Sequence, residues 1–160
     1  MITNDPPFDY GNFVVIGYGK ESHSDGAVGH EIAKLVSHWN RPGIRTYFRD
    51  QLTPDLSEVL NGAHVAIFVT ARPSSSASTV QTRIIEPSFP LAFMAQSDDP
   101  RVLLALTQAT YGRYPYSWWI TVPAINFEKG KGLSSIAQEG ISTALQRIQV
   151  LVEDSACLPV

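Results

Sequence analysis

The chain has 160 residues, 44% of them hydrophobic, with 12 Lys and Arg set against 15 Asp and Glu for a formal charge of −3. That length and apolar content suit one domain, residues 1–160, which buries its own core without metal or disulfide staples; the mild acidity and absence of a basic stripe argue against nucleic acid as a partner. No apolar stretch is long enough to cross a bilayer, while the single Cys157 and an N-terminus unlike a signal peptide set the expectation of a reducing cytoplasm and a protein or small-molecule partner.

In chain order, Phe13-Val14-Val15-Ile16 is apolar without alternation, as a central parallel strand covered on both faces would be, and it ends at Gly17. Val28, Ile32, Leu35, Val36 and Trp39 recur at helical spacing, with Ser24 or Asp25 available as the N-cap and Arg41-Pro42-Gly43 as the stop. Ile44 to Phe48 reads as a second strand, Leu56 to Leu60 as a short helix, and His64 to Val69 as a third strand rich in Val, Ile and Phe. Arg72 to Gln81 is polar, serine-rich and aperiodic, so it reads as a loop. Asp99 is a natural N-cap ahead of Pro100, Val102, Leu103, Leu106 and Ala109 form the apolar face of the helix that follows, and Gly112 stops it. Trp118 to Val122 is a further strand. A closing helix runs from Ser135 to about Asp154, with Ser135-x-x-Gln138 as its capping box. Strand and helix thus alternate, and the fold expected is α/β, with a mostly parallel sheet and helices on both faces.

The segment GYGKESHSDGAVG, residues 17–29, looks like a phosphate-binding turn, but the third glycine of a dinucleotide fingerprint is replaced by Ser22, and no Gly-Lys-Ser/Thr follows. A tight strand-to-helix turn that uses Gly17 and Gly19 for their backbone freedom is the competing reading. Other catalytic templates are missing: there is no H-E-x-x-H, C-x-x-C or G-x-S-x-G. His23 falls in the loop, His30 and His38 lie two turns apart on one helix, and His64 begins a strand, so each reads as a surface or satisfied core histidine rather than a metal ligand. Asp98 and Asp99 could supply carboxylates to a site, although helix capping accounts for Asp99.

Five segments in succession, VVIGYGKESHSDGAVG, QLTPDL, VAIFVTA, SDDPRVLLALTQATYG and WWITVPAINFEKGKGLS, resemble the signature segments of hydrogenase maturation proteases, in particular a cyanobacterial-type branch. The resemblance implies a three-layer α/β/α domain and an endopeptidase that trims the C-terminal tail of a [NiFe] hydrogenase large-subunit precursor, recognising nickel already inserted in that substrate. It also implies three metal-contacting positions. An acid in the glycine-rich segment falls on Gly26, an Asp at the end of the third strand falls on Thr70, and a His before the next helix falls on Gln96. The residues present offer no side chain, a neutral hydroxyl and a neutral amide, which are poor ligands for nickel. A loop His of the branch is likewise replaced, by Asp50.

The sequence therefore carries the fold-bearing half of the signature without the ligand-bearing half. The expectation is a non-catalytic relative with no cofactor or metal of its own, which binds a [NiFe] hydrogenase large subunit or another protein. Its cleft is expected to involve Gly17, Gly19, Lys20, His23, Asp25, Asp50, Thr70, Gln96 and Asp98. The alternatives are an active endopeptidase using Asp25, His23, Asp50 or Asp98 in place of the missing ligands, and a small-molecule binder using the same cleft at the ends of the parallel strands.

Overall fold

The computed structural model describes residues 12–74, 79–89 and 98–155. Its first strand, β1 (Phe13–Tyr18), is buried along its whole length, as its unbroken apolar run requires. A short 3-10 helix, Ser24–Ala27, leads into α1 (Val28–Ser37), and β2 (Ile44–Arg49) and α2 (Leu56–Asn61) follow. The chain then forms β3 (Val65–Pro73), β4 (Gln81–Ile85), α3 (Pro100–Tyr111), β5 (Tyr116–Ala124) and α4 (Ser135–Ser155). The sheet order is β2-β1-β3-β5-β4. All neighbours run parallel except β4, which pairs antiparallel with β5 at the edge.

The sheet separates two apolar layers. On one face Val15, Ile67, Val69, Ile120 and Val122 pack with Val28, Ile32 and Val36 of α1 and with Ile141, Ala144 and Ile148 of α4. On the other, Val14, Ile16, Ala66 and Phe68 pack with Leu56 and Leu60 of α2 and with Leu103 and Leu104 of α3. This is the α/β architecture expected from the strand pattern, with a mostly parallel sheet between helices. Among the described residues no helix is long and apolar enough to cross a membrane.

Three local expectations need correction. Arg72 to Gln81 is not all loop, because Arg72 and Pro73 extend β3 and Gln81 opens β4. The N-cap of α1 is Ala27, without a side-chain hydrogen bond, since Ser24 and Asp25 lie a turn earlier in the 3-10 helix. The cap of α4 sits one residue earlier than expected: Ser134 Oγ accepts from Ala137 N at 3.2 Å, and Gln138 reaches back to the Leu133 carbonyl at 3.0 Å. By contrast, Asp99 caps α3 by accepting from Arg101 N at 2.9 Å, Pro100 occupies the first turn, and Gly112 closes the helix with φ 79°.

Candidate functional site

The C-terminal ends of β1 and β3 and the segment 19–27 meet at a glycine-lined junction. A Cβ at Gly17 would fall inside the van der Waals envelope of the Gly29 carbonyl, and one at Gly29 would lie 2.5 Å from the backbone N and O of Tyr18. Gly17 is therefore a packing glycine that seats α1 on the sheet, rather than part of a ligand cradle. Gly19, at φ 140°, sits between the Gly26 carbonyl and Thr70 Oγ1, which would lie 2.5 and 3.7 Å from a Cβ placed on it. The structure thus brings positions 26 and 70 together, whereas Gln96 lies outside the described residues. A Cβ at Gly26 would stand 2.6 Å from the carbonyl oxygen of Lys20, which already accepts from His23 N at 3.0 Å. The space an acidic side chain at position 26 would enter is filled by main chain.

Thr70 is engaged as well. The β1–β3 ladder ends at the pair Gly17 and Val69, and one residue later Thr70 Oγ1 donates to the Tyr18 carbonyl at 2.8 Å. An ionised Asp at this position would set a pure acceptor against that carbonyl.

Asp25 is fully buried, and both of its oxygens are occupied. Oδ2 accepts from the backbone N–H of Ile125 (3.0 Å) and Asn126 (3.1 Å) and from Ser134 Oγ (2.7 Å), while Oδ1 accepts from Ser134 N at 2.8 Å. Burial pushes this carboxyl up, but the hydrogen bonds from Ser134, Ile125 and Asn126 outweigh it and hold the group below the usual carboxylate range. Around it, Ser24 N bonds to the Gly130 carbonyl at 3.0 Å, Ser24 Oγ to the Glu128 carbonyl at 2.9 Å, and His23 pairs with Gly130 as an isolated bridge. Asp25 and His23 thus join segment 22–25 to segment 125–134.

Asp50 meets a different group. Its Oδ1 lies 3.2 Å from His30 Nε2, which is also 3.0 Å from the Gly19 carbonyl. Glu21 lies on the other side of the ring, 3.8 Å from Nδ1, and pairs with Lys34 at 2.9 Å. His30 is buried, and its Nδ1 has no hydrogen bond. Its spacing on α1 made it look like a surface or satisfied core residue; half of that description holds, since only one ring nitrogen is satisfied. Lys20 is exposed. Among the described residues no cluster of three or more His, Cys, Asp or Glu side chains could hold a metal ion.

Thr70 and Asp98 share an open cleft of about 400 Å³ with Tyr18, Arg72, Gln81, Arg83, Asp99, Trp119 and Thr121. The Tyr18 hydroxyl donates to the Asp98 carbonyl at 2.9 Å and accepts from Trp119 Nε1 at 3.0 Å. Burial pushes its pKa up far enough that it stays protonated, despite the opposing effect of the Trp119 hydrogen bond. Arg101 grips Asp99 through Nε and Nη2, at 2.9 and 2.5 Å. Sequence reasoning missed Tyr18, Arg72, Arg83 and Trp119. Tyr18 fell in the glycine-rich turn, one residue past the expected end of the first strand, Trp119 looked like one more apolar strand residue, Arg72 fell in the expected loop, and Arg83 lies on the strand that was not recognised.

No protein-family model matches the sequence, and no curated protein does. Solved structures do. The chain superposes on the hydrogenase maturating endopeptidase HybD of Escherichia coli with a TM-score of 0.72, at 18% identity, over 90% of this chain and 93% of that one. The fold is that of the hydrogenase maturation proteases. The [NiFe] hydrogenase maturation protease HycI of Thermococcus kodakarensis gives a TM-score of 0.69 at 13% identity, covering 89% and 93% of the two chains. HybD of the same organism gives 0.66 at 17%, covering 88% and 99%. In a hydrogenase maturation protease fold, the junction of Gly19, Gly26 and Thr70 lies at the ends of the parallel strands, where α/β sheets place ligands.

Proposed function

We propose that this protein is a non-catalytic relative of the hydrogenase maturation proteases, which holds a [NiFe] hydrogenase large subunit or another protein in the cleft beside Thr70. The observation that carries this reading is the engagement of Thr70, a neutral hydroxyl whose proton is committed to the Tyr18 carbonyl where the resemblance implies an ionised carboxylate. The crowding at Gly26 by the Lys20 carbonyl supports it from the opposite side of the junction. A divalent ion carried by a substrate gives up water only to ligands that replace its hydration, and carboxylate and imidazole do this through charge or strong lone-pair donation. The residues at positions 26 and 70 do not fit that demand, and the neutral amide of Gln96 adds nothing to it.

Three measurements test the reading. Calorimetric titration with nickel is expected to give no stoichiometric binding, and incubation with a nickel-loaded large-subunit precursor is expected to leave its C-terminal tail intact. The same precursor, presented as bait, is expected to retain the protein. Tail cleavage would establish the active endopeptidase instead, and failure to bind either the precursor or any other protein would favour a small-molecule ligand for the cleft.

A further inference from the structure

The cleft beside Thr70 is not electrically balanced from within. Strand register sets Thr70, Thr121 and Gln81 in one row across β3, β5 and β4, and Trp119 and Arg83 in the neighbouring row. Arg72 sits two residues beyond Thr70, and its guanidinium is pinned by neutral acceptors. Nε donates to Thr121 Oγ1 at 3.1 Å, Nη1 to Ser74 Oγ at 3.3 Å and Nη2 to the Thr79 carbonyl at 3.1 Å. Those bonds fix its plane while leaving further N–H groups and its whole charge available. Arg83 lies over the Trp119 ring, 4.8 Å from the centroid, and has no hydrogen bond or ion pair among the described residues. Asp99 is gripped by Arg101, whose guanidinium lies 6.0 Å from the Trp119 ring centroid, and it also attracts Arg83, so Arg72, Arg83 and Arg101 face the two carboxylates of Asp98 and Asp99.

We propose that this cleft binds a side-chain carboxylate on an acidic peptide segment of a protein partner, with Arg83 stacked on Trp119 and the pinned Arg72 as its anchors. Three guanidiniums facing two carboxylates leave room for a monoanion, which favours a carboxylate over doubly charged phosphate. The planar guanidinium fork also matches a carboxylate in bidentate fashion. The Trp119 ring gives the methylenes of a glutamate an apolar wall, and the exposed Gln81 amide can pair with the peptide main chain. The inference rests on reading the cleft as a partner-binding site and adds the chemistry of what it grips.

The test is NMR titration of the full chain with a hexaglutamate peptide, acetylated and amidated so that its side chains carry all of its charge, beside its hexaglutamine twin. Saturable shifts are expected at the Trp119 indole N–H and the Nε–H of Arg72 and Arg83 with the acidic peptide only. Arg83→Gln is expected to weaken binding at least about tenfold, Arg83→Lys to retain most of it, and both to melt with the wild type, because the side chain is exposed. Equal shifts with hexaglutamine, shifts spread evenly over the exposed basic residues, unchanged affinity in Arg83→Gln, or tighter response to inorganic phosphate would each overturn the proposal. Capture of a large-subunit precursor separates the two readings. Retention by Arg83→Gln at wild-type strength would sink the carboxylate anchor and leave partner binding standing, whereas acidic-peptide binding without precursor capture would do the reverse.

Discussion

Thr70 shows how one side chain can serve the fold in a place where the family resemblance implies a ligand. Its hydroxyl satisfies the Tyr18 carbonyl just beyond the last β1–β3 pair. Thr70→Val keeps the shape and removes the donor, so it is expected to lose about 1–2 kcal/mol of stability. Thr70→Asp sets a carboxylate against the same carbonyl and is expected to lose more than the valine variant. Equilibrium urea unfolding of both gives the order, and a stable Asp variant would show that position 70 is free to act as a ligand after all. Gly26 teaches a related lesson. Its φ is not in the left-handed region, so backbone angle does not bar a side chain there; the bar is the Lys20 carbonyl. Substitution at 26 therefore has to move segment 20–23 before it can present a carboxylate to anything. The expectation that nickel-binding side chains are missing rests on residue type alone. The sequence could not reveal that main chain crowds position 26 and a side-chain hydrogen bond engages Thr70, because the second fact depends on where residues distant in sequence come to lie and the first on how the turn closes.

At the scale of elements, long apolar runs were legible and short polar ones were not. The runs in β1 and β3 have no alternation because helices cover both faces, and that pattern survives in any single-sequence reading. β4 has five residues at the sheet edge, with only Ile85 buried, so it carried too little apolar signal to separate it from the serine-rich segment before it. The join between segments 22–25 and 125–134 was illegible for another reason: Asp25 meets Ser134 across 109 positions of chain. Asp25→Asn keeps the volume but turns an amide against N–H donors, and it is expected to cost about 2–4 kcal/mol at neutral pH. The folded carboxyl titrates below its ordinary value near 3.9, so its stabilisation is fully present above that value and fades as the pH falls through the lower folded one. The gap between wild type and Asp25→Asn is therefore expected to be constant from neutrality down to about pH 5 and to close below about pH 4. Thermal melting across that range checks it, and a gap that widens with acid would contradict the assignment.

Across the whole molecule, the sheet order and the two apolar layers follow from the alternation of strands and helices, and they hold positions 19, 26 and 70 together whatever those residues now do. Seating α1 backbone-to-backbone on β1 and β3, through Gly17 and Gly29, has a kinetic consequence. At that contact no side chain separates helix from strand, so α1 is pinned there and cannot tilt or slide far while the strands stay paired. The amides of Val15 to Gly17 and of Ile67 to Val69 should then exchange with deuterium only when the entire chain unfolds, with a denaturant dependence equal to that of global unfolding. The amides of Thr82 and Ile84, on the exposed edge strand, should exchange through small fluctuations that denaturant hardly affects. Residue-resolved exchange at rising guanidinium separates the two behaviours. Shallow dependence at Ile67 to Val69 would mean that α1 lifts from the sheet by itself, on the face opposite the cleft.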